Sequence, residues 1–168
     1  MPGKLQQEIE QTRPFDLAEE EAMLNIVRTA EVFGRAISGF LDGFGLSPVQ
    51  YNVLRILRGA GPNGATCSQI GKRMLTHDPD ITRLLDRMEA RGLIARARDG
   101  ADRRAVITRI TETGLALAGE IDQPLTTLFQ TRLGKIGRDG LASLTAQLEK
   151  VREAFGPETE QFQKGQQL

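Results

Sequence analysis

The segment from Thr76 to Thr111 changes from helical to strand periodicity at a single glycine, and this change restricts the possible folds strongly. Before Gly92, apolar residues recur with the i, i+3, i+4, i+7 spacing that buries one side of a helix. These residues are Ile81, Leu84, Leu85 and Met88. We expect Asp78 to cap this helix, Pro79 to occupy its first position and Gly92 to end it.

The opposite side of this helix is polar. At about 100° per residue, a separate set of side chains points away from the apolar face. The set consists of Thr82, Arg83, Asp86 and Arg87. A helix with one packed side and one polar side presents a surface to a partner.

After Gly92 the pattern changes to two short strands, residues 93–98 and 105–110. Asp99-Gly100 between them is a strong turn signal. The turn is lengthened by Ala101, Asp102, Arg103 and Arg104. A helix followed by a basic hairpin is the order of a winged helix-turn-helix, in which the helix enters the DNA major groove and the hairpin approaches the minor groove.

The chain before this segment is dominated by one long helix. Residues 1–15 show no sustained pattern and are expected to form a mobile acidic arm. The helix then begins near Asp16 and ends at Gly43, with an apolar stripe longer than one small domain usually covers. The stripe comprises Met23, Ile26, Val27, Ala30, Phe33, Ile37, Phe40 and Leu41. We therefore expect part of it to face a second subunit.

Two shorter helices lead into the segment 76–111. The first begins at Ser47-Pro48, a capping residue followed by a proline at the first helical position. The second is capped by Thr66 and extends over residues 67–74, with Ile70 pointing inward. The helix over residues 67–74, the tight turn at 74–77 and the helix described first, with its polar face, together indicate a helix-turn-helix.

Two helices are predicted after the hairpin. Thr111 caps the first, which reaches about Leu133, although Pro124 should kink or locally unwind it. The second extends from Leu141 to Phe155, and residues 156–168 are expected to be disordered. The predicted fold class is mainly α with a small β-hairpin wing.

The charges of the chain are segregated, although the net charge of its 168 residues is zero. The stretch from Lys72 to Arg109 has ten basic and six acidic residues, whereas Met1 to Glu21 has two basic and six acidic. The basic excess thus lies in the helix-turn-helix part, which is typical of a nucleic-acid interface. No apolar run approaches the roughly 20 residues of a membrane helix and the N-terminus is too polar for a signal peptide, so we expect a cytoplasmic protein.

The run ITRLLDRMEARGLIARARDGADRRAVITRITETG resembles the core of the MarR family of transcriptional regulators. That family typically has a TR-LLDRLE-RGL helix end, a D-R-R wing tip and a hydrophobic-Thr step into the next helix. LSPVQYNVLRIL and ATCSQIGKRM lie where the family has its second and third helices, so the resemblance covers roughly Leu17 to Phe155.

The resemblance implies a homodimer on a palindromic operator. It implies a single domain over residues 16–155, with a winged helix-turn-helix lobe at 46–111. Residues 16–43 and 112–155 would be the dimerisation helices. Two DNA-binding lobes related by a twofold axis match half-sites about one helical turn apart.

Several residues are candidates for contacting DNA. Arg104 matches the last arginine of the family's wing tip, which enters the minor groove; Arg103 is expected to contact phosphate and Asp102 to orient an arginine. Thr82, Arg83 and Arg87 lie on the exposed side of the helix, where an arginine can bind guanine bidentately. The single histidine, His77, is expected to make a polar contact in the turn, either within the protein or to phosphate.

Acidic residues near this surface need partners, because free carboxylates repel phosphate. We expect Asp86 to bind Arg83 or a wing arginine. Asp78 is accounted for by capping, whereas the sequence provides no role for Asp80.

The resemblance implies a regulator of transcription, and we expect a repressor that a small-molecule effector releases from DNA; a phenolic or other aromatic acid is the class of effector that the family often uses. Aromatic candidates for an effector pocket are Phe33, Phe40, Phe44 and Tyr51, with ordinary core packing as the alternative for each. The other function compatible with the fold is a winged-helix module that binds protein. No catalytic motif supports an enzyme, and no cofactor or metal is implied. The lone Cys67 is either a redox sensor or simply a small residue in a first helical turn.

Overall fold

The computed structural model describes residues 3–76, 78, 80–98 and 105–156. Within these ranges the helices are α1 (Lys4–Glu8), α2 (Ala18–Asp42), α3 (Pro48–Ala60), α4 (Cys67–Arg73), α5 (Ile81–Ala90), α6 (Glu112–Leu133) and α7 (Arg138–Phe155). The strands are β1 (Ala65–Thr66), β2 (Ile94–Arg98) and β3 (Val106–Ile110), and short 3₁₀ helices cover Gly61–Asn63 and Gly134–Ile136. The fold class predicted from the sequence is confirmed.

The chain divides into two compact units, Met1–Gly119 and Glu120–Leu168. The division falls within α6 and within the domain of residues 16–155 that the sequence predicted. The first unit contains α1 to α5 and the three strands, and so holds the whole helix-turn-helix and its wing.

The core of the first unit is built from the apolar faces of α3, α4 and α5. Leu84, Leu85 and Met88 are buried as predicted, and Ile81 is half-buried at the start of the same helix. They share this core with residues of the other elements, namely Leu46, Val53, Leu54, Leu57, Ile70, Leu93 and Ile94. Burial of this face fixes which side of α5 remains outside.

Ser47 and Thr66 cap α3 and α4, as the sequence predicted, and in the structure each cap is part of a capping box. The Ser47 hydroxyl accepts from the backbone of Gln50 at 3.3 Å, and the Gln50 side chain accepts from the Ser47 backbone at 3.0 Å. Thr66 and Gln69 repeat this exchange at 3.2 and 2.9 Å. Each box satisfies two backbone donors that the first turn of a helix leaves without partners.

The sheet is antiparallel, with the order β1-β3-β2. The two longer strands form the predicted hairpin, in which Ile94 faces Ile110 and Arg96 faces Thr108. The sequence did not predict β1, because two residues are too short to show a strand period. Gly64 precedes β1 with φ +66° and lies against the Thr108 carbonyl, a close approach that a side chain would obstruct.

The N-terminal region differs from the expected mobile arm, because residues 4–8 form α1. Leu5 is buried, and Glu8 lies 3.7 Å from Arg28 of α2. A helix of five residues is too short for its sequence to show an amphipathic period.

The long helix α2 keeps much of its apolar stripe on the outside. Leu41 at its C-terminal end is buried, whereas Met23, Val27 and Phe33 are 50%, 60% and 39% exposed. The described part of this chain therefore leaves the N-terminal half of the stripe uncovered. Contiguous exposed apolar surface of this kind is typical of an interaction site.

The second unit consists of the greater part of α6, the 3₁₀ turn Gly134–Ile136 and α7. Helix α6 continues through Pro124 without interruption, so the local unwinding expected there is absent. Helix α7 begins at Arg138, three residues before the predicted start, and leaves Leu144 and Phe155 exposed. Among the residues described, none of the helices has the length and apolarity that crossing a membrane requires.

The start of α6 packs tightly on Gly92, Leu93 and Ile110. Thr111 caps it as predicted, accepting from the Gly114 backbone at 3.1 Å, and donates its hydroxyl hydrogen to the Gly92 carbonyl at 2.6 Å. A Cβ added to Gly114 would lie 3.0 Å from Ile110 Cγ1 and even closer to the Leu93 carbonyl oxygen. This contact requires a glycine.

We therefore predict that Gly114→Ala lowers the free energy of unfolding by about 1–3 kcal/mol, the usual cost of overpacking. Gly119→Ala is the matched control, because nothing lies within 4 Å of the added Cβ in the same helix. It should stabilise the protein by about 0.5–1 kcal/mol through helix propensity. Chemical denaturation measures both, and equal effects of the two substitutions would contradict the packing described.

Candidate nucleic-acid interface

Helix α5 presents a polar face beside the wing. Thr82, Arg83, Asp86 and Arg87 are all exposed, as the sequence predicted, and the Arg83 side chain is 82% exposed. Because the opposite face is buried in the core, these side chains cannot turn inward. Helix α5 therefore has the geometry of a recognition helix.

The N-terminus of α5 corrects the sequence prediction, because the capping residue is Asp80 and not Asp78. The Asp80 carboxylate accepts from the Arg83 backbone at 3.4 Å and lies 3.2 Å from the Arg83 guanidinium. Asp78 instead accepts from the Asp80 backbone at 2.9 Å, which forms the turn before the helix. The sequence supplied no role for Asp80 because two aspartates separated by a proline were both compatible with capping.

The turn between α4 and α5 is held by a residue that the sequence analysis did not select. The Leu75 backbone N–H donates to the Asn52 side chain at 2.9 Å. Asn52 lies on α3, so the turn is attached to a third helix. No pattern in the sequence indicates this contact, because the two residues are 23 positions apart.

The C-terminus of α5 ends as predicted at Gly92, with φ +69°. The Gly92 N–H donates to the Glu89 carbonyl at 2.8 Å and the Leu93 N–H donates to the Met88 carbonyl at 3.1 Å. These two bonds form a Schellman motif, which reverses the chain with little freedom. Strand β2 starts at the second residue after Gly92.

Arg96 joins β2 to the recognition helix. Its Nε donates to Glu89 Oε2 at 2.9 Å, and its Nη2 donates to Glu89 Oε2 and to Asp86 Oδ1, both at 2.6 Å. The Arg96 backbone N–H also donates to Glu89 Oε1 at 2.8 Å. We name these three residues the α5–β2 clamp. The expectation that Asp86 binds Arg83 or a wing arginine is met by Arg96 of the first wing strand.

The clamp neutralises two carboxylates on the helix that would face DNA. Hydrogen bonds from the Arg96 side chain hold the pKa of the Glu89 carboxyl below its ordinary value. Hydrogen bonds to Glu89, and then to Asp86, raise the pKa of the Arg96 guanidinium above its ordinary value. Both shifts favour the charged forms, so Glu89 and Arg96 form an ion pair at neutral pH. The sequence could have indicated that Arg96 points toward the protein, because the alternation of side chains in β2 puts it on the same side as the buried Ile94.

Strands β2 and β3 form the wing, and a further contact attaches β3 to the rest of the first unit. The Arg109 Nε donates to the Pro62 carbonyl at 2.8 Å, so β3 is tied to the 3₁₀ turn Gly61–Asn63. Four predicted DNA-contacting or orienting residues lie outside the described residues, and the structure does not test them. They are His77, Asp102, Arg103 and Arg104.

The aromatic residues considered for an effector pocket are only partly brought together. The rings of Phe40 and Phe44 lie 5.4 Å apart at 48°. Tyr51 is buried, whereas Phe33 is 39% exposed further along α2. Cys67 is half-buried at the first residue of α4. Within the described ranges, no group of His, Cys, Asp or Glu is arranged to hold a metal ion.

Comparisons with known proteins agree with this geometry. The model of the MarR family matches residues 44–105. The HTH-type transcriptional regulator TtmR of Methylorubrum extorquens is 36% identical over 97 residues, which are 58% of this chain and 49% of TtmR. The chain thus spans about half the length of that curated relative.

Two solved structures extend the likeness over most of the chain. The crystal structure of a MarR transcription factor from Planctomyces limnophilus is 36% identical with a TM-score of 0.62, covering 80% of this chain and 98% of that one. The transcriptional repressor CouR, solved bound to a 23-mer DNA duplex, is 25% identical with a TM-score of 0.67, covering 83% of this chain and 99% of CouR.

The capping role of Asp80 generates a stability prediction. Asp80→Ala removes the side-chain acceptor and should lower the free energy of unfolding by about 1 kcal/mol. Asp80→Asn keeps an acceptor while removing the charge, and should remain close to the wild type. Urea denaturation followed by circular dichroism compares the three proteins. If Asp80→Ala is as stable as the wild type, the cap contributes nothing.

Proposed function

This chain belongs to the MarR family of transcriptional regulators, and we propose that it acts as a homodimeric repressor on a palindromic operator. The observation that carries the proposal is the polar face of α5, where Thr82, Arg83 and Arg87 are exposed while the neighbouring carboxylates are paired with arginines. Such a face can approach phosphates without repulsion from its own acids. The family assignment also speaks against the enzyme alternative.

The recognition helix supplies the contacts in the major groove. Arg83 is held by Asp80 in a solvent-exposed pair, and exposed pairs are worth little. The Arg83 side chain can therefore turn from Asp80 to a guanine edge at small cost, while the Asp80 carboxylate keeps its hydrogen bond from the Arg83 backbone N–H at the helix N-terminus. Thr82 contacts a neighbouring base, and Arg87, one turn further along the same face, contacts phosphate or a base edge.

The wing supplies the contacts beside the major groove. Arg104 enters the minor groove, Arg103 contacts phosphate, Asp102 orients the arginines and His77 binds phosphate near the helix start. These four roles rest on the sequence motif, the basic excess between Lys72 and Arg109, and the similarity to CouR bound to DNA. A narrow minor groove has an enhanced negative potential, which favours an arginine there.

The homodimer is supported by the uncovered stripe of α2. Met23, Val27 and Phe33 are exposed on one side of that helix, so a second copy would remove them from water. The resemblance assigns this function to residues 16–43 and 112–155. A twofold dimer presents two recognition helices to half-sites about one helical turn apart.

An aromatic acid is the proposed effector, and release of DNA is its proposed effect. The support is the paired rings of Phe40 and Phe44 near the junction of α2 and α3, together with the buried Tyr51. Phe33 would extend the site along α2. Aromatic rings favour flat ligands, which stack at their faces and edges. Repression itself is supported by the family and by the repressor CouR.

The first test of this function is binding to the DNA upstream of the protein's own gene. Fluorescence anisotropy should show a preference of about a thousandfold or more over a scrambled duplex, and binding should weaken steeply as salt is raised. Arg104→Ala should weaken binding by about tenfold or more, because a specific contact of this kind is worth roughly 1–3 kcal/mol.

Arg13→Ala provides the control, since it removes an exposed arginine that belongs to none of the proposed DNA contacts and should leave binding unchanged. Equal binding to both duplexes, indifferent to Arg104, would favour the alternative of a winged-helix module that binds protein. Selection of bound fragments from the whole genome then separates that outcome from an operator located elsewhere.

The dimer has its own test. Val27→Asp introduces a charge into the exposed apolar stripe and should convert the dimer to a monomer in light scattering, because a buried unpaired carboxylate is costly. Asn25→Asp introduces the same charge about 200° away around the helix and should leave the dimer intact. A dimer that persists in Val27→Asp would contradict the use of this stripe.

A further inference from the structure

The α5–β2 clamp has more hydrogen bonds, and a less exposed cation, than an ordinary surface ion pair. The Arg96 side chain is only 24% exposed, and Glu89 and Asp86 are 37% and 52% exposed. Three charge-assisted bonds of 2.6–2.9 Å engage the guanidinium from two carboxylates on consecutive turns of α5. Nε and Nη2 of the planar guanidinium both donate to Glu89 Oε2 while Nη2 also donates to Asp86, so the group is fixed in direction.

The clamp also includes the backbone of β2. This strand lies at the edge of the sheet, because the order is β1-β3-β2. Its outer side has no neighbouring strand within the described residues, and the Arg96 N–H on that side donates to Glu89 at 2.8 Å. The recognition helix therefore occupies, through one side chain, the position that another strand would take.

The clamp lies close enough to the wing tip to affect the direction in which β2 leads into it. Arg96 lies three residues before the tip segment that starts at residue 99, which is about 10 Å along an extended strand. On the other side, the Schellman motif at Gly92 attaches the same strand to the end of α5. Together with the pairing of β2 to β3, these two attachments define the direction of β2 relative to the helix, and the clamp is the attachment nearer the wing tip.

We infer that Arg96 is a positioning residue of the DNA interface, which fixes the wing at the angle that lets the recognition helix and the wing arginines contact DNA together. The inference rests on the proposed DNA binding and adds a residue that touches no DNA. Arg96 acts through Arg103 and Arg104, because their approach to the duplex depends on the direction of β2.

Charge neutralisation is the competing explanation for any effect of Arg96. Without Arg96, the carboxylates of Asp86 and Glu89 would be left unpaired close to phosphates. If charge neutralisation were the cause, the loss of DNA affinity without Arg96 would not depend on the wing, and removing the two carboxylates would restore the affinity. Positioning makes the loss dependent on the wing and not reversible in that way.

A double-mutant cycle distinguishes the two explanations. Dissociation constants are measured by anisotropy for the full chain and the labelled upstream duplex, with wild type, Arg96→Ala, Arg104→Ala and the double variant. We expect each single substitution to raise the dissociation constant about tenfold or more. The double variant should bind only slightly less tightly than the single variant that binds less tightly. The pair Arg83→Ala and Arg104→Ala is the control, and its losses should multiply.

Two further variants keep the test decisive. Arg96→Lys retains the charge but cannot donate in a fork, so it should weaken binding and reduce the effect of Arg104→Ala, even if Arg96→Ala fails to fold. Arg96→Ala combined with Asp86→Asn and Glu89→Gln should remain weak. Recovery of wild-type affinity in this triple variant would overturn positioning in favour of charge neutralisation.

The remaining outcomes are also separable. The protein could prefer its upstream duplex and need Arg104, while the affinity losses of Arg96→Ala and Arg104→Ala multiply in the double variant. That result would overturn the inference and leave the proposed function standing. A wild type with no preference for the upstream duplex contradicts the proposed function, and the inference is lost with it.

Discussion

Burial of one face of α5 is the constraint on which the rest of the interface depends. Leu84, Leu85 and Met88 lie in the core, so the helix cannot rotate about its axis without exposing them. Fully burying a side chain of this size is worth roughly 1.5–3 kcal/mol. The orientation of Thr82, Arg83 and Arg87 follows from this packing, because they occupy what remains of the helix surface. The buried residues of α5, which cannot contact DNA themselves, therefore determine which of its side chains face outward.

A protein surface that approaches phosphate must account for its own carboxylates. Asp80 caps α5 and lies beside Arg83, while Asp86 and Glu89 bind Arg96. Each acid thus has a structural task that also reduces its negative field toward a ligand. The chain has zero net charge and still contains a basic region, because bases outnumber acids ten to six between Lys72 and Arg109 whereas acids outnumber bases six to two between Met1 and Glu21.

The sequence predicted the elements whose signals are local. The proline and capping residue at Ser47-Pro48, the glycine at Gly92 and the apolar period of α5 each lie within one turn or one helix, and all appear in the structure. The features it missed depend on residues far apart or on elements too short to show a period. Examples are the contact of Asn52 with the Leu75 backbone, the strand β1 and the helix α1.

The candidate site was predicted by position better than by interaction. The exposed face of α5 was recognised, but the cap was assigned to Asp78, because two equivalent aspartates flank Pro79 and only the backbone geometry distinguishes them. Arg96 was overlooked because an arginine in a basic wing resembles its neighbours in sequence. Its partners become evident only when the hairpin is placed against the helix.

The bond between Glu89 and the backbone of β2 has a consequence beyond the interface itself. An edge strand with free N–H groups can pair with the edge of another molecule, which begins aggregation. Here the Arg96 N–H is already occupied, and Arg98 places a positive charge on the same short strand. A wing that must project from the protein to be useful is thereby protected from joining the sheet of a neighbour.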